Sequence, residues 1–215
     1  MVGSPVTSDM RGLRSTREPD DVGRVPVRRR SLLAAAGSAT SLAIGGCLGS
    51  GSDAGGDAPA AVTIPAGATC DVCGMTIRQH PGPTTQIFYA EQRPSGHDNP
   101  ARFDSTWEAF QYDFQRRDRG WTRTAFYVTD YSSVDYEIFT EAGTTFVSTH
   151  PVAEAFTPAS DVTFVVGSSV QGAMGRDLIA FSDDEDATEF AAEHGGSEAA
   201  FDDVTRSTIA ELAQS

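Results

Sequence analysis

Residues 176–196 read RDLIAFSDDEDATEFAAEHGG, which is a strand followed by a helix whose two ends are both marked. Residues 176–181 are apolar and aromatic enough to predict a strand. Ser182-Asp183-Asp184-Glu185 is a capping-box pattern, which predicts that a helix begins there. The predicted apolar face of this helix, at helical spacing, consists of Ala187, Phe190 and Ala191. Gly195-Gly196, directly after His194, predicts where the helix ends.

A similar arrangement occurs earlier in the chain. Phe103-Asp104-Ser105 leads into a second capping-box pattern, Ser105-Thr106-Trp107-Glu108, and apolar residues follow at helical spacing. Further strands are predicted at residues 84–91, 123–129, 136–140 and 161–166, and a short helix at residues 205–213. The predicted class is α+β, with two related strand–strand–helix halves at roughly residues 66–130 and 135–213. Helices are expected to pack on a mainly antiparallel sheet.

The N-terminal part of the chain has the features of an export signal. Three arginines, residues 28–30, precede a short apolar run at residues 32–44. A spanning helix needs about 20 apolar residues, so this run is too short to be one and is typical of a secretory signal. The pair Arg29-Arg30 with the following Ser-Leu-Leu resembles a twin-arginine signal.

A lipid anchor is predicted directly after this signal. Residues 44–47, Ile-Gly-Gly-Cys, resemble a lipobox, in which Cys47 would be lipidated and attach the protein to a membrane. The predicted organisation is therefore an extension and signal at residues 1–46, and a lipidated cysteine with a flexible tether at residues 47–62. A folded domain follows at residues 63–215.

The charge of the chain is strongly acidic. All 16 basic residues are arginine, against 30 acidic ones, and residues 47–215 hold nine arginines against 26 acids, a net charge of −17. Such a surface repels nucleic acid and excludes it as an expected partner. The composition resembles that of proteins from salt-loving archaea, in which salt screens the self-repulsion.

A cysteine motif at residues 70–77, CDVCGMTI, is the strongest candidate site. Its spacing places the sulfurs of Cys70 and Cys73 on one side of a turn, and Met75 shares a face with Cys73 if the segment is extended. Thiolate and thioether are soft donors that suit copper(I), whereas structural zinc needs four Cys or His ligands. Two alternatives remain open at this point, a disulfide and a thioredoxin-like redox pair. Gly74, directly after Cys73, disfavours the helix start that a redox pair requires.

Two further residues are candidate ligands. Met174 lies in a loop of small residues, Gly172-Ala173-Met174-Gly175, from which its side chain could reach an ion. His80 is the histidine nearest to the cysteine pair and is the candidate imidazole ligand, although a loop role suits it better. The chain contains no catalytic triad, P-loop or dinucleotide motif, so an enzyme is not expected.

The order and spacing of these motifs resemble the NosL family across residues 66–205. The resemblance is carried by residues 70–77, Phe103-Asp104-Ser105 and residues 167–181 with the helix that follows them. It implies an extracytoplasmic, lipid-anchored protein with a copper(I) site, whose ligands fall on three residues here: Cys73, Met75 and Met174. Cys70 stays open as a ligand, a redox partner of Cys73, or neither. Ala173 departs from the family, which more often has proline before Met-Gly.

The resemblance also implies a client. It predicts copper delivery to nitrous oxide reductase, through a copper-assembly ABC-type membrane complex. Two other functions remain as alternatives: a thiol–disulfide oxidoreductase that uses Cys70 and Cys73, and a general copper-scavenging lipoprotein.

Overall fold

The computed structural model describes residues 25–26 and 58–214. The predicted signal, Cys47 and the tether up to residue 57 lie outside these residues, apart from the two at 25–26. The helices are α1 (Thr106–Asp118), α2 (Asp184–His194) and α3 (Arg206–Leu212). The strands are β1 (Val25–Pro26), β2 (Thr85–Tyr89), β3 (Ala101–Phe103), β4 (Arg123–Thr129), β5 (Glu137–Glu141), β6 (Thr144–Val147), β7 (Phe156–Pro158), β8 (Thr163–Gly172), β9 (Gly175–Phe181) and β10 (Ser197–Ala200). Within the described part, no helix has the length and apolar character needed to cross a membrane.

The strands form two sheets. The smaller sheet has the order β3-β2-β4-β7 and is antiparallel throughout. The larger has the order β1-β5-β6-β8-β10, with β9 also paired to β8, and only its β6–β8 pair is parallel among the described strands. A parallel bridge between Asp130 and Ala180 connects the two sheets. The predicted α+β class with mainly antiparallel sheet is confirmed.

The two predicted halves share one topology. In the first half, β2 pairs with β3, α1 follows, and β4 returns to pair with the other side of β2. In the second half, β8 pairs with β9, α2 follows, and β10 returns to the other side of β8. Each half is thus a strand–strand–helix–strand unit with its first strand in the middle.

The hairpin of β8 and β9 lies at the centre of the molecule because both of its faces are buried. Phe164 and Leu178 face the larger core, which they share with α1, α3 and the smaller sheet. Val165 and Ile179 face a second core beneath α2. Alternate side chains of a strand point to opposite faces, so one hairpin serves both cores.

Each half also supplies an aspartate to the beginning of the other half's helix. Asp177 in β9 accepts a hydrogen bond from Trp107 N in the first turn of α1, at 2.8 Å. Asp130, directly after β4, accepts from Ser182 N just before α2, at 3.0 Å. The first N–H groups of a helix have no partner within it, so Asp177 satisfies a donor of α1 that would otherwise be orphaned. Asp130 holds the residue that precedes the N-cap of α2.

Candidate metal centre

The cysteine motif forms a closed turn. Cys70 N donates to Met75 O at 2.9 Å, Gly74 N donates to Cys70 O at 3.1 Å, and Thr69 and Thr76 form an antiparallel bridge. Gly74 has a φ of +77°, a conformation that glycine adopts without steric cost. Cys70 and Cys73 therefore lie in a hairpin-like turn and not at a helix start, as Gly74 indicated.

Asp71, between the cysteines, fixes this turn to the beginning of β3. Its backbone N–H donates to Arg102 O at 2.9 Å, and its carboxylate accepts from Arg102 N at 2.7 Å. The other carboxylate oxygen lies 2.9 Å from His97 Nε2. Since β3 leads directly into α1, this attachment holds the cysteines against the first turn of that helix.

Two carboxylates meet the cysteines there. The ligand atoms of Cys70, Cys73, Asp104 and Glu108 all lie within 4.8 Å of one another. Cys70 Sγ donates to Glu108 Oε2 at 2.9 Å, and Cys73 Sγ lies 3.5 Å from Asp104 Oδ1. Both carboxylates are buried, with 1% of each residue exposed. We call these four residues the thiol–carboxylate cluster.

The sequence did not identify Asp104 and Glu108 as site residues. Ser105 caps α1 as predicted, by accepting a hydrogen bond from Glu108 N at 3.2 Å. The carboxylate of Glu108, however, contacts Cys70 and leaves the predicted capping box half formed. The available signal was the spacing of Asp104 and Glu108, because residues four apart at a helix start lie on the same face.

Burial raises the pKa values of both thiols and of Glu108 in this cluster. Burial raises the pKa of the Cys70 thiol well above its usual value, and the hydrogen bond to Glu108 raises it further. Burial also raises the pKa of Cys73, and a hydrogen bond from the Met75 N–H offsets only part of this rise. Burial raises the pKa of Glu108 as well. Without a metal the thiols therefore keep their protons, since the low-dielectric site disfavours thiolate.

The two thiols differ in exposure. Cys70 is buried, with 4% exposed, whereas Cys73 is half-buried, and Val72 between them is 43% exposed. Met75, also half-buried, follows Cys73 in the same turn. Cys73 and Met75 are consequently the sulfur donors of this turn that lie nearer to solvent.

Met174 lies in a tight hairpin and not in the loose glycine loop expected from the sequence. Gly172 pairs with Gly175, so Ala173 and Met174 alone form the turn between β8 and β9. Met174 is 42% exposed there. The strands extend further than residues 161–166 and 176–181 because the β8–β9 ladder resumes after an irregularity between Val166 and Gln171.

The part of the hairpin next to this turn packs closely on its surroundings. A Cβ added at Gly172 would lie 2.8 Å from Asp177 Oδ2 and 3.1 Å from Pro83 Cδ. A Cβ added at Gly82 would lie 2.6 Å from Gly172 Cα. Asp177 in turn binds Trp107 N, the neighbour of Glu108, so close contacts link the hairpin to the first turn of α1.

The remaining candidate, His80, is not a member of the thiol–carboxylate cluster. It follows the 3-10 helix Ile77–Gln79, and its carbonyl accepts a hydrogen bond from Thr149 Oγ1. Met75 and Met174 also stand outside the hydrogen-bonded cluster. Among the predicted residues, the structure thus brings Cys70 and Cys73 together and adds two carboxylates.

Fold and site together define a two-halved α+β domain with a candidate metal centre made of two thiols and two carboxylates. The chain belongs to the NosL family, whose profile matches residues 61–209. It is 30% identical over 144 residues to the copper-binding lipoprotein NosL of Stutzerimonas stutzeri, covering 67% of this chain and 65% of that protein. The chain thus spans just under two thirds of that relative's length.

A solved structure supports the same relationship. The crystal structure of the copper chaperone NosL from Shewanella denitrificans matches with a TM-score of 0.54 and 27% sequence identity. The match covers 70% of this chain and 98% of that one. The fold described here is therefore shared along nearly the whole length of that protein.

Proposed function

We propose that this chain is a copper(I) chaperone, anchored outside the cytoplasm by lipid at Cys47. The observation that carries the proposal is the turn of Cys73 and Met75, which holds a thiol and a thioether half-buried near the surface. Two sulfur donors of this kind suit copper(I) and leave room for a third ligand. The copper-binding relatives in the NosL family support this choice of metal.

The proposed ligands are Cys73, Met75 and Met174. Cys73 supplies the single negative charge, and its proton leaves when copper(I) binds. The thioethers need no deprotonation, so they remain donors where burial raises the pKa of a thiol. Cys70 lies deeper and is hydrogen-bonded to Glu108, so it is not one of the copper ligands in this proposal.

The place of Met174 in this set is supported by its anchored hairpin. Gly172, next to the turn, lies against Asp177, and Asp177 binds the first turn of α1. Asp104, just before α1, and Glu108, in its first turn, flank the cysteines. At the tip, Met174 is exposed and free to swing onto an ion. Three-coordinate copper with one open side suits transfer, because an incoming ligand can bind before the old ones leave.

The proposed client is nitrous oxide reductase, reached through an ABC-type copper-assembly complex in the membrane. A lipid anchor confines chaperone and complex to one surface, which raises their effective concentration, so weak docking is sufficient. The acidic surface fits docking by shape and apolar contact, because high salt screens long-range attraction. We propose no enzymatic activity for the chain.

The alternative of a thiol–disulfide oxidoreductase has weaker support. Cys70 and Cys73 are close enough to be a redox pair, as the sequence allowed. Catalytic thiols of that class, however, have lowered pKa values, whereas burial raises the pKa of both cysteines here. A redox protein should also be indifferent to Met75.

Copper(I) titration of variants tests the ligand set. Reduced full-length protein should bind one copper(I) with a sulfur-dominated X-ray absorption spectrum. Cys73→Ser should weaken binding most, and Met75→Leu or Met174→Leu by about tenfold each, roughly 1.4 kcal/mol. Val72→Leu is the matched control, since Val72 is exposed in the same turn and offers no ligand. Unchanged affinity in Met174→Leu would remove that residue from the set.

A deletion strain tests the client. It should grow normally with oxygen but accumulate nitrous oxide under denitrifying conditions, with reductase that lacks part of its copper. Adding back Cys73→Ser should not restore activity, while Val72→Leu should. Normal nitrous oxide consumption by the deletion strain under limiting copper would favour the copper-scavenging alternative.

A further inference from the structure

One short segment of this acidic chain is rich in arginine. Residues 114–123, FQRRDRGWTR, hold four arginines against one aspartate, a net charge of +3. Residues 47–215 carry −17 in total, so the rest of them carries −20. Arg123 is paired with the buried Asp113 at 2.6 Å, and the other three arginines lie at the end of α1. Positive charge is thus concentrated in one place on a protein that otherwise repels anions.

A further arginine reaches the same place from the C-terminal part of the chain. Arg206, at the beginning of α3, donates to Asp118 Oδ1 at 2.7 Å and to Phe114 O at 3.1 Å. Arg206 and Arg117, together with Phe114 and Asp118, line an open recess of about 400 Å³. Two helices therefore present guanidinium groups to one recess that has room for an anionic group.

Aromatic rings position the arginines next to this recess. Arg116 Cζ lies 4.2 Å from the ring centroid of Tyr112 and 4.8 Å from that of Trp121, which is half-buried. Arg117 and Arg119 are exposed and form no salt bridge with the described residues. Their charges are therefore available to a partner. We call the following residues the arginine patch: Arg116, Arg117, Arg119, Trp121 and Arg206.

We propose that the arginine patch docks on the anionic headgroups of the membrane to which the protein is anchored. A guanidinium group is a planar fork that binds two phosphate oxygens through parallel hydrogen bonds. Arginine stems and tryptophan rings also suit the boundary between headgroups and hydrocarbon. The inference rests on the lipid anchor of the proposed function, and it assigns the face of the domain that turns towards the membrane.

The tether joins the domain on the strand that follows the patch. Pro59 O accepts a hydrogen bond from Tyr127 Oη at 3.0 Å, and Tyr127 lies in β4, which begins two residues after Trp121. Ten residues separate Cys47 from residue 58. A flexible linker of this length has an end-to-end distance of about 16–19 Å, and fully extended it spans about 33–36 Å. The patch therefore stays within reach of the lipid surface.

High salt favours attraction by direct contact over attraction at a distance. At about 1 M salt the Debye length is about 3 Å, so a guanidinium group must touch a phosphate to be attracted by it. Arg117 and Arg119 are exposed and can make that contact. The acidic remainder of the domain is not repelled by the headgroups, because it lies further from them than this length.

Docking by this patch turns the cysteine turn away from the lipid. The patch lies at the C-terminal end of α1, and the thiol–carboxylate cluster lies at its beginning. α1 has 13 residues, and a helix rises by about 1.5 Å per residue, so the two ends are about 20 Å apart. The cluster then faces outward, where it is open to a partner that protrudes from the membrane.

The two tryptophans of the chain test this orientation, because Trp107 lies in the first turn of α1 and Trp121 follows its end. Lipidated mature protein is reconstituted into phosphatidylcholine vesicles, with or without phosphatidylglycerol, that contain a lipid with a nitroxide quencher on its headgroup. In Trp107→Phe, only Trp121 fluoresces, and its quenching should rise when phosphatidylglycerol is present. In Trp121→Phe, only Trp107 fluoresces, and its quenching should stay the same.

Arginine variants in the Trp107→Phe background test the patch itself. Arg117→Gln and Arg119→Gln should each lower the ratio of docked to undocked protein by up to about fivefold, since a basic residue at an anionic surface contributes about 1 kcal/mol. The measurement is made at the lowest salt concentration at which circular dichroism shows the protein to be folded. Arg176→Gln is the matched control, because it removes the same charge from β9, outside the patch, and should leave quenching unchanged.

The possible failures are distinguishable. Protein that does not enter the vesicles would overturn the lipid anchor of the proposed function. Anchored protein with equal Trp121 quenching in both kinds of vesicle would overturn lipid docking and assign the patch to an acidic protein surface. An equal rise at Trp107 would overturn the orientation. If Trp107→Phe unfolds, the difference in quenching between the parent and Trp121→Phe reports on Trp121 instead.

Discussion

Replacing Asp177 with asparagine should stabilise the protein at neutral pH. Asp177 is 1% exposed, and its Oδ1 accepts from Trp107 N and Leu178 N, each at 2.8 Å. Its Oδ2 has no hydrogen bond within the described residues and faces Gly172, next to the turn between β8 and β9. Burial raises the pKa of this carboxyl to about 7, although the backbone N–H groups and the nearby Ser105 hydroxyl lower it.

The sign and size of the effect follow from this pKa. The folded protein holds the proton more tightly than the unfolded chain, whose aspartate pKa is 3.8. The stabilisation from protonated Asp177 is therefore complete below about pH 4 and is lost as the pH rises to about 7. A difference of about three pKa units corresponds to about 4 kcal/mol. This is a large part of the free energy of unfolding of a typical protein, which is about 5–15 kcal/mol. Asparagine keeps the Oδ1 acceptor but carries no titrating proton.

Urea unfolding followed by circular dichroism measures the effect at several pH values between 4 and 7.5. The unfolding free energy of Asp177→Asn minus that of the parent should rise by up to about 4 kcal/mol across this window. Taking the difference cancels titration of groups that do not interact with Asp177, such as His150, whose pKa burial lowers. If the unfolding free energies of the two proteins change with pH in parallel, the pKa of Asp177 is not raised in the folded protein.

Three other substitutions have defined outcomes. Gly82→Ala should destabilise the protein by about 2–5 kcal/mol in chemical unfolding, because the φ of Gly82 is +116° and the new Cβ would lie 2.6 Å from the backbone of Gly172. Gly67→Ala is the control, because a Cβ there would meet open space. Arg123→Met should cost about 3 kcal/mol, measured in the same way, because Asp113 then loses its partner at 2.6 Å; a neutral result would mean the pair contributes nothing. Cys47→Ser should release the protein from membranes in a fractionation experiment, and unchanged attachment would contradict the lipid anchor.

Long elements with clear ends were predictable from the sequence. β4 occupies residues 123–129 as predicted, and α2 ends at His194 before Gly195, whose φ of +72° suits only glycine well. The beginning of α2 differs by one residue, because the N-cap is Asp183 and not Ser182. Both residues are good helix caps, so local pattern alone does not choose between them.

The strands that the sequence missed are two to four residues long. β10 consists of small and mostly exposed residues, Ser197–Ala200, and is a strand because its backbone pairs with β8. β7 includes a proline at its end and lies at the sheet edge, where a missing N–H is tolerated. Such strands depend on a distant partner, and that information is absent from local periodicity.

The site was predictable in its sulfur donors but not in its oxygens. Cys70 and Cys73 are recognisable as a pair by spacing, and Met75 follows in the same motif. Glu108 matched a capping box, a local role that concealed its contact with Cys70 across 38 positions of sequence. When a side chain fits a local pattern such as a capping box, its contact with a residue far away in the sequence is easily overlooked.

The exchange of aspartates between the halves has a consequence for folding cooperativity. Trp107 N in the first half binds Asp177 of the second, and Ser182 N in the second binds Asp130 of the first. Removing the second half would leave Trp107 N without the acceptor Asp177. Removing the first half would leave Ser182 N without Asp130 and would expose the face of the β8–β9 hairpin that carries Phe164 and Leu178. Each repeat therefore depends on the other for backbone acceptors and for core contacts, and we expect the two to unfold together.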